Sequence, residues 1–339
     1  MEIKMRLDTT KLDKSNMRGV IVNFPSQFKF GIEAAGTIKL KTGFEKIFVC
    51  GMGGSALAGL LAGTWLRLEK KHCPIHVLRQ YDLPKIGGEK PLIVCVSYSG
   101  NTEETISNYK QALKNKYQTV SVSVGGKLKA LCEKNKTPFI ALPSDDIPPR
   151  LAVGYIFGAL AAILEKSGFA ENLSKKILTG AEKIRPIESE KYGRTLAEKI
   201  NKKIPIIYSS SDYHSLAYNW KIQFNENAKI PAFCNFFPEL NHNEMLGFNF
   251  KKYADKFHIL VLKSDKEHPR NAKRVNLTAE ILKKNGAALD VVALEGKSNF
   301  EKIFNALILG HWTSYYLALQ KGFDPAPVEM IEEFKKKMA

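Results

Sequence analysis

Residues 46–56 read KIFVCGMGGSA, an apolar run that ends in a glycine-rich turn. Residues 91–105 repeat this arrangement as PLIVCVSYSGNTEET, in which the turn is rich in hydroxyl side chains. Each turn leads directly into an amphipathic stretch of helical length. Continuous apolar strands that alternate with such stretches are typical of parallel sheets buried on both faces by helices.

The same alternation runs through the chain in two rounds. Besides the runs at 46–51 and 91–97, the first half contains strand candidates at 75–80, 119–124 and 137–143, with helices expected at 54–70, 102–116, 126–135 and 150–168. The second half has strand candidates at 204–210, 230–236, 257–263 and 288–294, with helices expected at 213–228, 241–249, 268–285 and 299–320. This pattern predicts an α/β fold of two tandem doubly wound αβα domains with parallel sheets, plus a C-terminal helix. We place the domains at 1–168 and 204–339, with a helical connection over 169–203.

Composition and charge indicate which classes of binding partner are expected. The chain has 339 residues, 44% hydrophobic and 25% charged, as expected of globular domains. Its formal net charge is +17, but only nine of the 51 basic residues are Arg, and the longest basic block is residues 335–337. A Lys-rich solvated surface is therefore favoured over a nucleic-acid-binding surface. The longest apolar run, residues 151–164, is too short to span a bilayer and predicts a buried helix. We expect neither a nucleic-acid nor a membrane partner.

The cysteines and the N-terminus indicate the compartment. Five cysteines form no CxxC pair, and two of them lie inside apolar strand candidates: Cys50, Cys73, Cys95, Cys132 and Cys234. Reduced thiols of this kind favour a cytoplasmic protein. The first residues, MEIKMRLDTTKLDK, contain no apolar segment such as a signal peptide carries.

The two turns are candidates for holding an anion. Ligands of open α/β sheets bind beyond the carboxyl ends of the strands, and helix N-termini there present unpaired N–H groups. The candidate phosphate-binding residues are Gly53, Gly54, Ser55, Ser97, Ser99 and Thr102. GMGGSA also fits a loose dinucleotide pattern, but Asp82 stands late for the expected acidic residue, and Arg79 precedes it. One compact phosphate is therefore favoured over a dinucleotide.

These motifs carry a specific resemblance. GMGGSA followed by SYSGNTEET resembles the sugar isomerase (SIS) domain. NENAK at 225–229, FPELNHNE at 237–244 and KGFDP at 321–325 resemble the bifunctional phosphoglucose/phosphomannose isomerases, from about residue 18 to 335. The resemblance implies isomerisation of glucose 6-phosphate and mannose 6-phosphate to fructose 6-phosphate through a cis-enediol, without a cofactor or metal.

The resemblance also assigns roles to residues of the second half. Glu226 corresponds to the catalytic base, and a carboxylate suits a proton that leaves one carbon and returns to its neighbour. His242 corresponds to the ring-opening residue, which related isomerases contribute from the partner subunit, so a homodimer is implied. Lys321 corresponds to a lysine that contacts the sugar. Alternatives from the residues alone stay open: a solvated helix-end Glu226, and a metal site at His242 with Glu239 and Glu244.

Three more residues complete the resemblance. Arg150 corresponds to the arginine that stabilises the enediolate, for which a guanidinium beside developing negative charge has an electrostatic reason. Thr313 and Ser314 fall where the bifunctional enzymes carry a small hydroxyl residue, usually Thr, that leaves room for both C2 epimers. Ser314 is the better match by its spacing from Lys321, and it departs from the usual Thr.

Two other functions are alternatives to hexose-phosphate isomerisation. A non-catalytic SIS protein that senses a sugar phosphate would keep the phosphate loops, and an isomerase for another phosphosugar would share the domain. A metal pair at His72 and His76 is also conceivable, although an ordinary loop before a strand is favoured there.

Overall fold

The protein is described by a computed structural model over residues 9–71, 75–87, 90–145 and 147–338. Its contacts divide the chain into two compact units. The N-terminal unit comprises Asn23–Ile184 and Ser298–Glu301. The C-terminal unit comprises Arg185–Lys297, the described residues up to Val22, and those from Lys302 onward. The domain boundaries expected from the sequence stay a prediction.

The elements alternate along the chain as the sequence predicts. The strands are β1 (Lys46–Cys50), β2 (Ile75–Leu78), β3 (Pro91–Val96), β4 (Gln118–Ser123), β5 (Phe139–Ala141), β6 (Ile204–Ser210), β7 (Phe233–Phe237), β8 (Phe257–Lys263) and β9 (Ala288–Ala293). The α-helices are α1 (Thr9–Leu12), α2 (Met17–Val22), α3 (Ser26–Ala34), α4 (Gly53–Leu68), α5 (Glu103–Lys114), α6 (Gly126–Asn135), α7 (Val153–Lys166), α8 (Leu173–Ala181), α9 (Pro186–Ile200), α10 (His214–Glu226), α11 (Lys251–Ala254), α12 (Pro269–Lys284), α13 (Asn299–Gln320) and α14 (Glu329–Met338). Short 3₁₀ helices cover Pro149–Leu151, Ser211–Tyr213, Glu239–His242 and Glu244–Phe248.

Each unit is built on a parallel sheet. The N-terminal sheet has the order β2-β1-β3-β4-β5, and the C-terminal sheet has the order β7-β6-β8-β9. All strand pairs are parallel, and Cys50 of β1 lies opposite Cys95 of β3. The predicted α/β class with two doubly wound sheets is confirmed. Because the chain order reverses between β1 and β3, the loops after these strands lie at the topological switch point, where such sheets bind ligands.

The apolar run at 151–164 is a buried helix, as predicted. Nearly every residue of α7 from Val153 to Leu164 is inaccessible to solvent. Within the described residues, no helix has both the length and the apolarity needed to cross a membrane.

Helices α3 and α7 approach each other backbone to backbone at two glycines. A Cβ on Gly31 would lie 2.0 Å from the carbonyl oxygen of Tyr155, and one on Gly158 would lie 2.4 Å from that of Phe28. Both contacts are with rigid backbone atoms, so neither neighbour can move aside without shifting a helix. The crossing of α3 and α7 therefore depends on these two glycines.

Gly31→Ala is expected to destabilise the protein by about 1–3 kcal/mol, the usual effect of overpacking a close contact. Gly63→Ala in α4 is the matched control, because no atom lies within 4 Å of its Cβ position. The control is expected to stabilise by up to about 1 kcal/mol through helix propensity. Thermal and denaturant unfolding midpoints measure both changes. Equal shifts in the two variants would contradict the close crossing.

The first described residues are held by polar contacts within the C-terminal unit. The Arg18 guanidinium donates two hydrogen bonds of 2.8 Å to the Glu190 carboxylate in α9. The Tyr315 hydroxyl donates to Asp13 at 3.1 Å, and the Tyr316 hydroxyl donates to Glu190 at 2.7 Å. These contacts explain why this segment groups with α9 and α13, far along the chain, and not with the strands that follow it.

The prediction of a single helix at 241–249 was wrong. Two 3₁₀ helices stand there, Glu239–His242 and Glu244–Phe248, separated by Asn243, whose φ of −146° and ψ of −62° are not helical. The Asn243 side chain accepts a hydrogen bond of 2.6 Å from the Glu244 backbone N–H. Asn side chains compete in this way with helical hydrogen bonds, which explains the break. His72 and Cys73 lie outside the described residues, so the proposed His72–His76 pair is not described.

Candidate active site

The loop after β1 leads into α4, which begins with two glycines. The structure requires glycine at each of the two positions for a different reason. Gly53, the first helical residue, has a φ of +47°, in the left-handed region that favours glycine. Gly54 is limited by space, because a Cβ there would lie 2.5 Å from the Pro149 carbonyl oxygen. Ser55 is buried, and its hydroxyl accepts a hydrogen bond of 3.1 Å from the backbone N–H of Tyr98. Ser55 thereby joins this loop to the loop after β3.

The loop after β3 is organised around the buried hydroxyl of Ser97. This oxygen lies 2.8 Å from the Thr102 hydroxyl and accepts from the backbone N–H of Gly100 at 3.1 Å. Ser99 is exposed, and its hydroxyl accepts from the Asn101 N–H at 3.3 Å. Thr102 is half-buried and immediately precedes α5. The loop thus exposes the Ser99 side chain to solvent on a fixed turn at a helix N-terminus. Such a position suits an anion.

A third loop, which the sequence analysis did not single out, supports the second. Gly100 has a φ of +75°, and a Cβ there would lie 1.8 Å from the Gly125 carbonyl oxygen. Gly126 has a φ of +70°, and a Cβ there would lie 2.5 Å from the Ser99 carbonyl oxygen. Ser123 closes this turn, since its hydroxyl accepts from the Gly125 N–H at 2.8 Å. The pair Gly125-Gly126 directly after a strand was the signal that could have identified it.

Arg150 lies beside these loops. It is only 1% exposed, in the 3₁₀ helix Pro149–Leu151 that precedes α7. A Cβ on Gly54 would come within 2.6 Å of the Arg150 backbone nitrogen, so the two segments touch. The N-terminal unit therefore brings together all six predicted phosphate-binding residues and the predicted arginine. A buried guanidinium of this kind requires anionic or carbonyl partners.

In the C-terminal unit, Glu226 is the last residue of α10 and is half-buried. The next residue, Asn227, is fully buried, and its side-chain amide donates a hydrogen bond of 2.9 Å to the Ser314 hydroxyl in α13. Ser314 in turn donates to the Gly310 carbonyl at 2.9 Å. Thr313 is also buried, but its hydroxyl donates only within its own helix, to Leu309 at 2.7 Å. The structure thus links Ser314, and not Thr313, to the segment of the candidate base.

A lysine that the sequence analysis did not single out fixes the end of α10. The Lys229 ammonium donates to the Glu226 carbonyl at 3.3 Å and to the carbonyls of Asp324 at 2.7 Å and Pro325 at 3.1 Å. It therefore ties NENAK to KGFDP, the two motifs that the sequence could not connect. Lys321, within KGFDP, is half-buried and donates to the Asn201 carbonyl at 3.1 Å.

His242 stands exposed at the end of a 3₁₀ helix on the loop after β7. The residues on either side of His242 are held by hydrogen bonds. On one side, the Asn241 side-chain amide donates to the Thr278 hydroxyl at 2.8 Å. Glu244 accepts from the Tyr208 hydroxyl at 2.6 Å. Burial, and then the negative charge of Glu244, raises the pKa of Tyr208 far above its ordinary value, so this hydroxyl stays a donor. The imidazole is thus held outward by an anchored loop and has no hydrogen bond to any described residue.

The described residues contain no group of three or more His, Cys, Asp and Glu side chains placed to hold a metal ion. The N-terminal unit contributes two helix N-termini with hydroxyls and a buried guanidinium, a set that can bind an anion and stabilise developing negative charge. The C-terminal unit contributes a carboxylate, an ammonium and an exposed imidazole, which are groups that can move protons.

Comparison with known proteins identifies the family of the chain. A sequence model described as the bacterial phospho-glucose isomerase C-terminal SIS domain matches residues 189–338. A bifunctional phosphoglucose/phosphomannose isomerase of Caldicellulosiruptor bescii is 34% identical over 333 residues, which cover 94% of this chain and 98% of that protein. One from Aquifex aeolicus is 31% identical over 324 residues, which cover 94% of this chain and 97% of that protein.

A solved structure shows the same fold at much lower identity. The C-terminal domain of glucosamine-fructose-6-phosphate aminotransferase from Francisella tularensis superposes with a TM-score of 0.69 at 17% identity, over 92% of this chain and 98% of that one. The full-length relatives at more than 30% identity decide the family. The chain belongs to the bifunctional phosphoglucose/phosphomannose isomerases, which have tandem SIS domains.

Proposed function

We propose that the protein is an aldose–ketose isomerase that interconverts glucose 6-phosphate and mannose 6-phosphate with fructose 6-phosphate through a cis-enediol. The structural observation that carries the proposal is that the segment of Arg150 packs on the first phosphate loop at Gly54, while Ser55 joins that loop to the second through the Tyr98 N–H. Similarity along the whole length to bifunctional relatives supports it. The reaction as proposed needs no metal or cofactor.

The phosphate has a defined place in this proposal. The N-terminal unit holds it at the N-termini of α4 and α5, where Gly53 leaves the backbone open, Gly54 packs on the segment of Arg150, and Ser55, Ser97, Ser99 and Thr102 supply hydroxyls and fix the turns. The partial positive charge of the helix N-termini favours the phosphate dianion.

Two residues move protons in this proposal, and two cations assist them. His242 transfers a proton to the ring oxygen as the sugar opens, a role for which the two ring nitrogens of an imidazole are suited. Glu226 removes the proton from C2 of the aldose, which leaves an enediolate, and returns it to C1 of the ketose. Arg150 stabilises the negative charge of the enediolate, and Lys321 binds sugar oxygens.

One assay tests the activity. The purified protein is incubated with fructose 6-phosphate and a chelator, and the two aldose phosphates are measured separately. Formation of both supports the proposal, and glucose 6-phosphate alone contradicts use of both epimers. Binding without turnover would indicate a sugar-phosphate sensor instead, and turnover of sedoheptulose 7-phosphate alone would indicate another phosphosugar.

We further propose a homodimer in which His242 acts in the partner's active site. Its exposure on an anchored loop supports this arrangement. Glu226→Gln and His242→Ala chains, each inactive alone, are co-expressed and purified together. Mixed dimers then contain one intact site, so about a quarter of wild-type activity should return. No recovery would mean that Glu226 and His242 act from the same chain.

The cellular setting is also a proposal. Four free thiols are described, with Cys50, Cys95 and Cys132 buried and Cys234 partly buried. Reduced buried thiols suit a cytoplasmic enzyme.

Ser314 is proposed to set the choice between C2 epimers, through the hydrogen bond that it accepts from Asn227. Ser314→Ala removes this bond, worth about 1 kcal/mol, and should change the ratio of activity on mannose 6-phosphate to that on glucose 6-phosphate by roughly fivefold. Thr313→Ala removes only a hydrogen bond within α13. Steady-state kinetics with both aldoses compare the two variants. A larger change of the ratio in Thr313→Ala would move the assignment to Thr313.

A further inference from the structure

The last helix carries an apolar stripe that the chain itself does not cover. Met330, Phe334 and Met338 of α14 are spaced by four residues, so they share one face of the helix. Met330 is 84% exposed and Phe334 is 63% exposed, and no residue of α14 is buried. An exposed stripe of large apolar side chains on an amphipathic helix marks a surface that another surface covers.

A second uncovered surface lies on α12, in the same unit. Leu277 and Ile281, also four residues apart, are each 46% exposed on its outer face. Arg270, Lys273 and Arg274 line a shallow groove together with Leu277. The outer face of α12 is therefore apolar in its centre and basic towards its N-terminus. We call this surface the α12 groove.

The charges of the two surfaces are complementary. The first half of α14 is acidic, with Glu329, Glu332 and Glu333, and the first half of α12 is basic. If the helices run in the same direction, the basic residues 335–337 of α14 come opposite Glu280 of α12. Within α14, Lys335 pairs with Glu332 at 2.8 Å, but both side chains are exposed. Such exposed pairs contribute little and can exchange partners.

The start of α14 is fixed on its own chain. Lys229 donates hydrogen bonds to the carbonyls of Asp324 at 2.7 Å and Pro325 at 3.1 Å, just before the helix. Ala326 is buried. The helix therefore leaves an anchored point with its apolar stripe uncovered, while the α12 groove of the same chain stays open. A second copy supplies the missing surface for each.

The α12 groove also adjoins the exposed histidine. The Asn241 amide, next to His242, donates to Thr278 of α12 at 2.8 Å, and Arg274 donates to the Asn241 side-chain oxygen at 3.4 Å. A homodimer in which His242 serves the partner must bring the second copy against this region. The inference rests on that proposed homodimer and adds the surfaces that form it.

We propose that α14 of one copy docks in the α12 groove of a second copy, and that the exchange is reciprocal. A two-fold axis makes this contact twice, once in each direction, so one pair of complementary surfaces closes the dimer. In this register Phe334 buries against Leu277 and Met338 against Ile281, and Met330 extends the stripe towards the basic end of the groove. The acidic half of α14 lies along the basic half of α12.

Sedimentation velocity over a range of protein concentrations tests the docking. The double variant Met330→Ser/Phe334→Ser should weaken self-association by about tenfold or more, since large apolar anchors dominate interfaces. Ile187→Ser is the matched control, because Ile187 is a 58% exposed apolar residue of α9 outside both surfaces. Equal association of the double variant and the control would overturn the proposal.

Charge reversal tests the pairing itself. Arg270→Glu/Lys273→Glu should weaken the dimer, and so should Glu329→Lys/Glu332→Lys. All four substitutions in one chain should restore association, because the complementarity returns with opposite sign. Failure to restore it would overturn the pairing of these two helices.

The activity assay keeps this inference separate from the proposed function. Undisturbed dimers in the α14 and α12 variants, together with isomerisation of fructose 6-phosphate, would overturn the docking and leave the proposed function standing. A wild-type protein that dimerises through α14 but turns over no hexose phosphate would support the docking and overturn the proposed function. A monomeric wild-type protein would overturn the docking.

Discussion

Glu226→Gln is expected to lower kcat for fructose 6-phosphate by ~10²–10⁴-fold, the usual contribution of a general base, while KM changes little. The amide has nearly the same shape as the carboxylate but cannot accept the proton from carbon. Coupled assays in both directions measure kcat. Exchange of the C2 hydrogen of glucose 6-phosphate with deuterated solvent, followed by NMR, should disappear in parallel.

Two comparison variants show whether the loss is specific. Glu198→Gln changes an exposed carboxylate of α9 that pairs with Arg194 at 3.4 Å, and it should leave the kinetics unchanged. Ser97→Ala removes the hydroxyl that orders the second phosphate loop, and it should mainly raise KM. If Glu226→Gln keeps wild-type exchange at C2, Glu226 is not the base.

Much of the fold follows from local sequence because its strands are buried on both faces. The six residues of β3 are all buried, and the sequence shows them as an unbroken apolar run. The glycine-rich and hydroxyl-rich turns then mark where these strands end. Since parallel strands end at the same edge of a sheet, two loops separated in sequence could be placed side by side.

Contacts between distant segments could not be predicted in this way. Nothing near Arg18 indicates that its partner is Glu190, which lies 172 residues further along the chain. Lys229 looks like an ordinary surface lysine, and only the fold shows that it joins the end of α10 to Asp324. Such residues carry no local pattern, because their partners are chosen by the packing of whole elements.

The same holds for the candidate site, whose motifs could be predicted from the sequence but whose contacts could not. Motifs identified the residue types, but the backbone contact between Gly54 and the segment of Arg150 depends on how α4 packs against α7 and the 3₁₀ helix that precedes it. The exposed position of His242 was likewise hidden, because the sequence predicts a regular helix there and Asn243 interrupts it.

Arg150→Lys is expected to lower kcat by ~10²–10³-fold, because a preorganised cation then no longer matches the enediolate. The ammonium keeps the charge but loses the planar fork of donors, so this substitution is not conservative at a buried site. Arg150 is 1% exposed, so the unfolding midpoint is measured alongside the kinetics. Arg194→Lys, on the exposed face of α9, is the matched control and should leave kcat unchanged, while the loss of its stacking on the Tyr316 ring, 5.7 Å away, should lower the unfolding midpoint only slightly.

Because Arg150 adjoins a phosphate loop at Gly54, it could stabilise the enediolate or bind the phosphate. Binding of two ligands distinguishes these two roles. A guanidinium that stabilises the enediolate should matter for a planar hydroxamate analogue of the enediolate and much less for sorbitol 6-phosphate, which shares only the phosphate and the hydroxyls. Transition-state stabilisation therefore predicts that Arg150→Lys loses affinity for the hydroxamate in proportion to kcat/KM, with sorbitol 6-phosphate binding nearly unchanged. Equal loss of affinity for both ligands would show instead that Arg150 holds the phosphate. In that case stabilisation of the enediolate would fall to another cation, and Lys321, half-buried in the C-terminal unit, would be the next to test.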